Sequence, residues 1–214
     1  MIYFTSDLHF GHHKSFLYEP RGFTSSEEHD EEVIKRWNSI IKNDDIVYIL
    51  GDLVLEDTTL GLSKVRRLNG ELHIICGNHD SAVRKEFYSV LSNIAEVCEA
   101  KTVKIGKQYY FLCHYPAMTA NYDDKPYHNH LIDLFGHTHS KEKFYIPWDP
   151  LYTDPNPFMY NVALDAHDCY PVSIEQINDD IHQKVQELYK ERQYREAQAK
   201  EYYTSGLNYS DSNL

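Results

Sequence analysis

Short apolar runs, each broken by Gly, Asp, Asn or His, alternate along this chain with stretches where apolar residues recur every three or four positions. The runs at 2–6, 46–50, 72–76, 109–112, 132–135 and 159–164 read as strands, most of them apolar enough to be buried on both faces. Residues 102–112 predict a hairpin around Gly106-Lys107. Val33, Ile34, Trp37, Ile40 and Ile41 share one helical face, and Glu27, Glu28, Asp30, Glu31 and Glu32 ahead of them suit a helix N-terminus. Leu60, Leu62, Val65 and Leu68 predict a second helix stopping at Gly70, and Val83, Phe87, Val90 and Leu91 a third. From Val172 the period is helical again, with Ile174, Ile177, Ile181, Val185 and Leu188 in one stripe. Past Tyr189 the stripe fades, leaving Glu191 with Arg195 and Glu196 with Lys200 as i,i+4 pairs on an end expected to project. Strands alternating with helices define an α/β chain. The expected organisation is one domain over 1–204, including a C-terminal helix at about 174–204, and a disordered tail at 205–214. Irregular polar loops are expected at 117–130 and around Pro147, Pro150, Pro155 and Pro157.

Composition narrows the function classes. The 214 residues carry a net charge of -12, which argues against a basic groove tracking duplex nucleic acid. A small phosphate ester stays open, because bound divalent cations reverse the local field. Cys76, Cys98, Cys113 and Cys169 are widely spaced, form no CxxC pair and read as reduced thiols. With a strand-like start and no apolar run near the ~20 residues a bilayer needs, the expectation is a cytoplasmic protein without a membrane segment.

The chemistry sits where the strands stop. Asp7-Leu8-His9, Gly51-Asp52, Cys76-Gly77-Asn78-His79-Asp80, His114 and Gly136-His137-Thr138-His139 all follow apolar runs. In α/β sheets that edge is where ligands bind. Taken singly, each has an ordinary alternative: Asp52 suits a helix N-cap, and a lone DxH arises by chance. Together, Asp7, His9, Asp52, Asn78, His114, His137 and His139 supply what two divalent cations need, one carboxylate to bridge with its two oxygens and the rest divided between the ions. Imidazole and carboxylate without thiolate suit Mn²⁺, Fe or Zn²⁺ better than Ca²⁺. His12 and Arg21 in the following loop are candidates for substrate contact, against the plainer reading of solvated loop residues. His128, His130 and His167 are left open in the same way.

This ordered set of motifs, spread over about two-thirds of the chain, resembles the calcineurin-like metallophosphoesterase superfamily. Thr5-Ser6-Asp7-Leu8-His9-Phe10-Gly11-His12, Trp37-Asn38 and Tyr170-Pro171-Val172-Ser173 further resemble a small single-domain bacterial and phage branch. The resemblance implies a four-layer α/β/β/α sandwich with two central mixed sheets. It implies that Asp7, His9 and His139 hold one metal, that Asn78, His114 and His137 hold the other, and that Asp52 bridges them. His79 would protonate the leaving oxygen, with Asp80 orienting its ring, while water acidified by the cations attacks phosphorus in line. The expected activity is phosphodiester hydrolysis on small or nucleotide-like substrates with two divalent ions, Mn²⁺ first, then Fe or Zn²⁺. Phosphomonoester hydrolysis, single-strand nuclease activity and a catalytically silent scaffold are the alternatives. The C-terminal helix is the expected place for any self-association.

Overall fold

The computed structural model describes residues 1–117, 131–145 and 158–207. Its strands in chain order are β1 (Ile2–Thr5), β2 (Ile46–Leu50), β3 (Glu71–Ile75), β4 (Ile94–Cys98), β5 (Lys101–Ile105), β6 (Gln108–Leu112), β7 (Ile132–Phe135), β8 (Met159–Asn161) and β9 (Val172–Ser173). The helices are α1 (Ser15–Tyr18), α2 (Ser26–Ile40), α3 (Thr58–Val65), α4 (Ala82–Tyr88) and α5 (Ile174–Leu207). One sheet has the order β4-β3-β2-β1-β9, the other β5-β6-β7-β8. β1 to β4 are parallel and β9 is antiparallel to β1. In the second sheet the β5–β6 hairpin is antiparallel and the other pairs are parallel. Both sheets are therefore mixed, as expected.

Strand alternation decides what each face meets. Val47, Ile49, Leu72 and Ile74 point to one side, into a core with Val33, Ile34, Trp37 and Ile41 of the α2 region. Phe4, Leu50 and Ile75 point to the other side and pack against Tyr110, Leu112, Leu134 and Tyr160 of the second sheet. The result is helices, sheet and sheet, stacked face to face. α2 starts where its sequence says it should: the Ser25 hydroxyl accepts from the Glu28 amide at 3.1 Å, and the Glu28 carboxylate accepts from the Thr24 amide at 2.7 Å.

α5 buries Ile174, Ile177 and Ile181 in the core between the sheets. Tyr110 and Tyr160 donate to its Asn178 and Asp180, each at 2.5 Å. Beyond that the helix leaves the body of the domain, with Tyr189 and Tyr194 more than 60% exposed. It runs to Leu207, three residues past the expected end, so 205–207 are helix where a tail was expected; 208–214 lie outside the described residues. The short elements α1, β4 and β9 carry too little periodicity to be read from sequence. β4 also breaks register against β3 between Leu72 and His73. All four cysteines are free thiols. No helix among the described residues is long and apolar enough to cross a membrane.

Candidate metal centre

Parallel strands deliver their C-terminal ends to one edge, and the candidate ligands collect there. Asp7 and His9 follow β1, Asp52 follows β2, Asn78 to Asp80 follow β3, His114 follows β6, and His137 and His139 follow β7. The turns are laced to one another: the Asp7 amide donates to the Gly51 carbonyl at 3.0 Å and the His9 amide to that of Asp52 at 2.9 Å. A backbone bridge between Ser6 and Ala163 joins the two sheets beside them. Asp7, His9, Asp52, His137 and His139 all have positive φ, between 48° and 67°. Asp and His tolerate this region better than most residues, yet each such turn costs about 1–3 kcal/mol and persists only where its surroundings fix it. The turns are also too crowded for a larger residue at Gly136, where a Cβ would strike the Ser6 hydroxyl and the Asp7 carboxylate.

The donor atoms test whether cations fit. Asp7 Oδ2 accepts from the Ser6 hydroxyl at 2.6 Å and the His137 amide at 2.8 Å, but Oδ1 is buried without a hydrogen-bond partner. That oxygen lies 3.7 Å from His9 Nε2 and 3.8 Å from His139 Nε2, and the two nitrogens are 3.3 Å apart. On the other side, His114 donates Nδ1–H to the Leu50 carbonyl at 2.8 Å, which turns Nε2 towards the other candidate ligands. This Nε2 faces three further polar atoms: Asn78 Oδ1 at 2.9 Å, His137 Nδ1 at 3.2 Å and Asp52 Oδ2 at 3.5 Å. Ligands about 2.1 Å from a shared cation lie about 3.0–3.4 Å apart in tetrahedral or octahedral arrangements. Lone pairs converging at such distances fit divalent cations, and the residues present supply nitrogen and oxygen in the expected mixture. Asp7, His9 and His139 form one ligand cluster; Asp7, Asp52 and His114 form a second.

Asp52 differs from expectation in one respect. Its Oδ1 accepts from the His79 amide at 2.9 Å, so only Oδ2 faces the nitrogens, 3.8 Å from His9 and 3.5 Å from His114. One oxygen, rather than two, is placed between the clusters.

The protonation states agree with this arrangement. Burial alone would raise the Asp52 pKa, but the hydrogen bond and charge of His114 outweigh it and hold the carboxyl at about 2. Asp7 is lowered in the same way, burial being overcome by His9 and His139. Both are carboxylates at neutral pH. Burial opposes charging of His9 and His137 and lowers both. His114 and His139 are raised despite burial, through the hydrogen bonds and charges of Asp52 and Asp165 respectively, with Asp7 adding to both.

The remaining candidates divide. His79 is 43% exposed at the rim, with Nε2 3.9 Å from Asp52 Oδ2. Asp80 does not take the part expected of it. Its Oδ2 accepts from the amides of Asp52 and Gly77, both at 2.8 Å, and its Oδ1 from the Tyr88 hydroxyl at 2.7 Å; the His79 ring is not among its partners. Buried between the β2 and β3 turns, it ties the loops that carry Asp52 and His79. Arg21 is not the solvent-facing residue expected of a substrate contact. Its side chain is 1% exposed and engages Asp165 through Nε at 3.0 Å and Nη2 at 2.7 Å. His12 is buried beside the site, with its ring 5.9 Å from His9 and its Nδ1 3.2 Å from Glu56 Oε2. His167 donates to the Asn161 carbonyl at 2.8 Å and takes no part in the centre. His128 and His130 lie outside the described residues.

Sequence reasoning missed Asp165 as a site residue. Its Oδ2 accepts from His139 Nδ1–H at 3.0 Å, which leaves Nε2 of a second ring free to face inward. The signal was present, since Asp165 closes an apolar run as Asp52 does.

The two mixed sheets and the order of the motifs at their edge define a phosphoesterase-type domain, and comparison with known proteins agrees. The chain belongs to the calcineurin-like phosphoesterase superfamily, whose domain model matches residues 1–149 and so spans every candidate ligand. An uncharacterised protein of Methanocaldococcus jannaschii is 29% identical over 180 residues, covering 82% of this chain and 88% of its own. The gene 66 protein of Mycobacterium phage D29 is 28% identical over 201 residues, covering 83% and 96%. A solved Aquifex aeolicus protein of unknown function has the same fold, with a TM-score of 0.61 at 22% identity over 84% of this chain and 98% of its own. The phage relative agrees with the bacterial and phage branch that the motifs resemble, and the archaeal one lies outside it.

Proposed function

We propose that this chain is a two-metal phosphodiesterase acting on small, nucleotide-like esters, with Mn²⁺ the first metal to try. The observation that carries the reading is the convergence of Asp7 Oδ1, Asp52 Oδ2, Asn78 Oδ1 and one ring nitrogen each of His9, His114, His137 and His139, every one of them 2.9–3.8 Å from another. Asp7, His9 and His139 would hold one ion, and Asn78, His114 and His137 the other, with Asp52 Oδ2 between. Two such ions supply an acidified water and charge stabilisation at phosphorus. His79 stands outside the ligand set, exposed to solvent and within 4 Å of Asp52. It would deliver a proton to a leaving oxygen. A diester favours this reading, because an alkoxide leaving group needs that proton most.

The test is hydrolysis of bis-p-nitrophenyl phosphate and p-nitrophenyl phosphate by metal-stripped protein with Mn²⁺ restored. Release from the diester, absent in Asp52→Asn, supports the proposal; release from the monoester alone replaces it with a phosphatase. His79→Ala is expected to bind Mn²⁺ as the wild type does and to lose at least 100-fold on diesters with alkyl leaving groups, the usual scale of general-acid catalysis (~10²–10⁴). Equal rates on such an ester would remove His79 from the chemistry.

A further inference from the structure

Arg21, His29, Asp30 and Asp165 are buried and ionisable, and the reaction as proposed uses none of them. They form one connected chain of hydrogen bonds. Asp30 Oδ2 accepts from the Gly11 amide at 3.1 Å, and its Oδ1 lies 3.0 Å from His29 Nδ1. His29 Nε2 accepts from Arg21 Nη1 at 2.9 Å. Arg21 then reaches two candidate ligands at once. Its Nη2 donates to the backbone carbonyl of Asp7 at 2.8 Å, and the same fork grips Asp165, whose Oδ2 accepts from His139 Nδ1–H at 3.0 Å.

We propose that the buried Arg21–Asp165 pair is a positioning device for one ion of the pair, fixing the backbone of Asp7 and the ring of His139 from behind. It rests on the two-metal reading above. Three observations separate it from ordinary core packing. First, taking an Arg and an Asp out of water is expensive, and apolar replacements of similar shape are often as stable, so such a pair is a weak stabiliser of the fold. Second, the two ends of the guanidinium are spent differently: the Asp7 carbonyl belongs to a residue held at φ 58°, and Asp165 fixes the tautomer of His139. Third, the two ion sites are supported unequally. His114 leans on a neutral carbonyl, that of Leu50, whereas His139 leans on a carboxylate. A carboxylate behind a ligating imidazole makes it more basic and a stronger ligand. The ion beside His139 is therefore the tighter one, and its grip depends on residue 165, which lies beyond the residues 1–149 that match the family's domain model.

The experiment is a calorimetric titration of Mn²⁺ into the metal-stripped full chain. Wild type is expected to show two binding steps. Asp165→Asn should weaken the tighter step by about 10–100-fold, the usual effect of losing a partner behind a metal ligand, and leave the weaker step unchanged. Because Asp165→Asn strands a buried Arg21, the double variant Arg21→Gln with Asp165→Asn removes both charges and should show the same one-step loss. A purely structural pair would lower the melting temperature of the metal-free protein and leave both steps alone. Unchanged steps in a folded variant overturn the proposal. Should neither variant fold, the imidazole ¹⁵N shifts of wild type with Zn²⁺ decide: Nε2-bound His139 with a hydrogen-bonded Nδ1–H supports it, and an Nε2–H tautomer overturns it. Absence of both steps in wild type would sink the two-metal reading itself, an outcome distinct from either of these.

Discussion

Replacing Asp80 tests whether this carboxylate serves the fold of the site or the ring of His79. In the structure Asp80 is buried and receives three donors, the amides of Asp52 and Gly77 and the hydroxyl of Tyr88. Asp80→Ala leaves all three without an acceptor, and each stranded buried donor costs about 1–3 kcal/mol. The sum, about 3–9 kcal/mol, is comparable with the ~5–15 kcal/mol that holds a domain of this size together. Asp80→Ala should therefore fail to accumulate as folded protein or melt far below wild type. Tyr88→Phe removes one donor to a charged acceptor while keeping the ring, at a cost of about 1.5–3 kcal/mol. At roughly 2–4 °C per kcal/mol for ~200 residues, its melting temperature should fall by about 3–12 °C. Asp80→Asn keeps an oxygen for the two amides and turns an NH₂ to the Tyr88 oxygen, so it should be the mildest of the three. Circular dichroism melts of the metal-free proteins measure all of this. If Asp80→Ala melts within about 2 °C of wild type and loses only turnover of esters that need a proton donor, the structural account is wrong and the carboxylate acts on His79.

Gly136→Ala forces a methyl against the Ser6 hydroxyl and the Asp7 carboxylate. It should abolish Mn²⁺ binding by displacing the orphan oxygen of Asp7, as read by equilibrium dialysis, while far-ultraviolet dichroism stays close to wild type. Asp133, buried in β7 with Oδ1 unpaired, has its pKa pushed by burial up to about 8, the Ala117 amide only partly opposing. An acid raised in the folded state contributes stability that is complete below its unfolded pKa of about 4 and is lost as pH rises towards about 8. Asp133→Asn should accordingly be more stable than wild type in urea at pH 9 and should flatten the fall between pH 5 and 9; a wild-type profile in that variant would refute the assignment.

The ligands were legible because each stands at a break in an apolar run, where a strand must end, and parallel strands bring such ends to one edge. The pairing of strands across two sheets is also written in the chain, since alternation sends Val47 and Ile49 one way and Leu50 the other. What stayed hidden depends on partners distant in sequence. Arg21 looks like a solvated loop residue until Asp165, 144 positions away, closes on it. Asp80 sits next to His79 in sequence, and that adjacency suggested a contact which the turn does not make; its side chain points instead to Tyr88 of α4. The left-handed turns at Asp7 and Asp52 leave no trace either, because only glycine announces such a backbone. β9 is two residues long and exists because β1 offers it an edge.

The seam between the sheets gives the centre a second meaning. Asp7, His9, Asp52 and Asn78 belong to the five-stranded sheet, and His114, His137 and His139 to the four-stranded one. A cation held by both is a cross-link between two halves of the molecule, made without a covalent bond and reversible with concentration. By mass action, an ion at 100 times its dissociation constant adds about 2.7 kcal/mol to the folded state. That increment falls on the joint between sheets, so the metal-free chain would breathe there first.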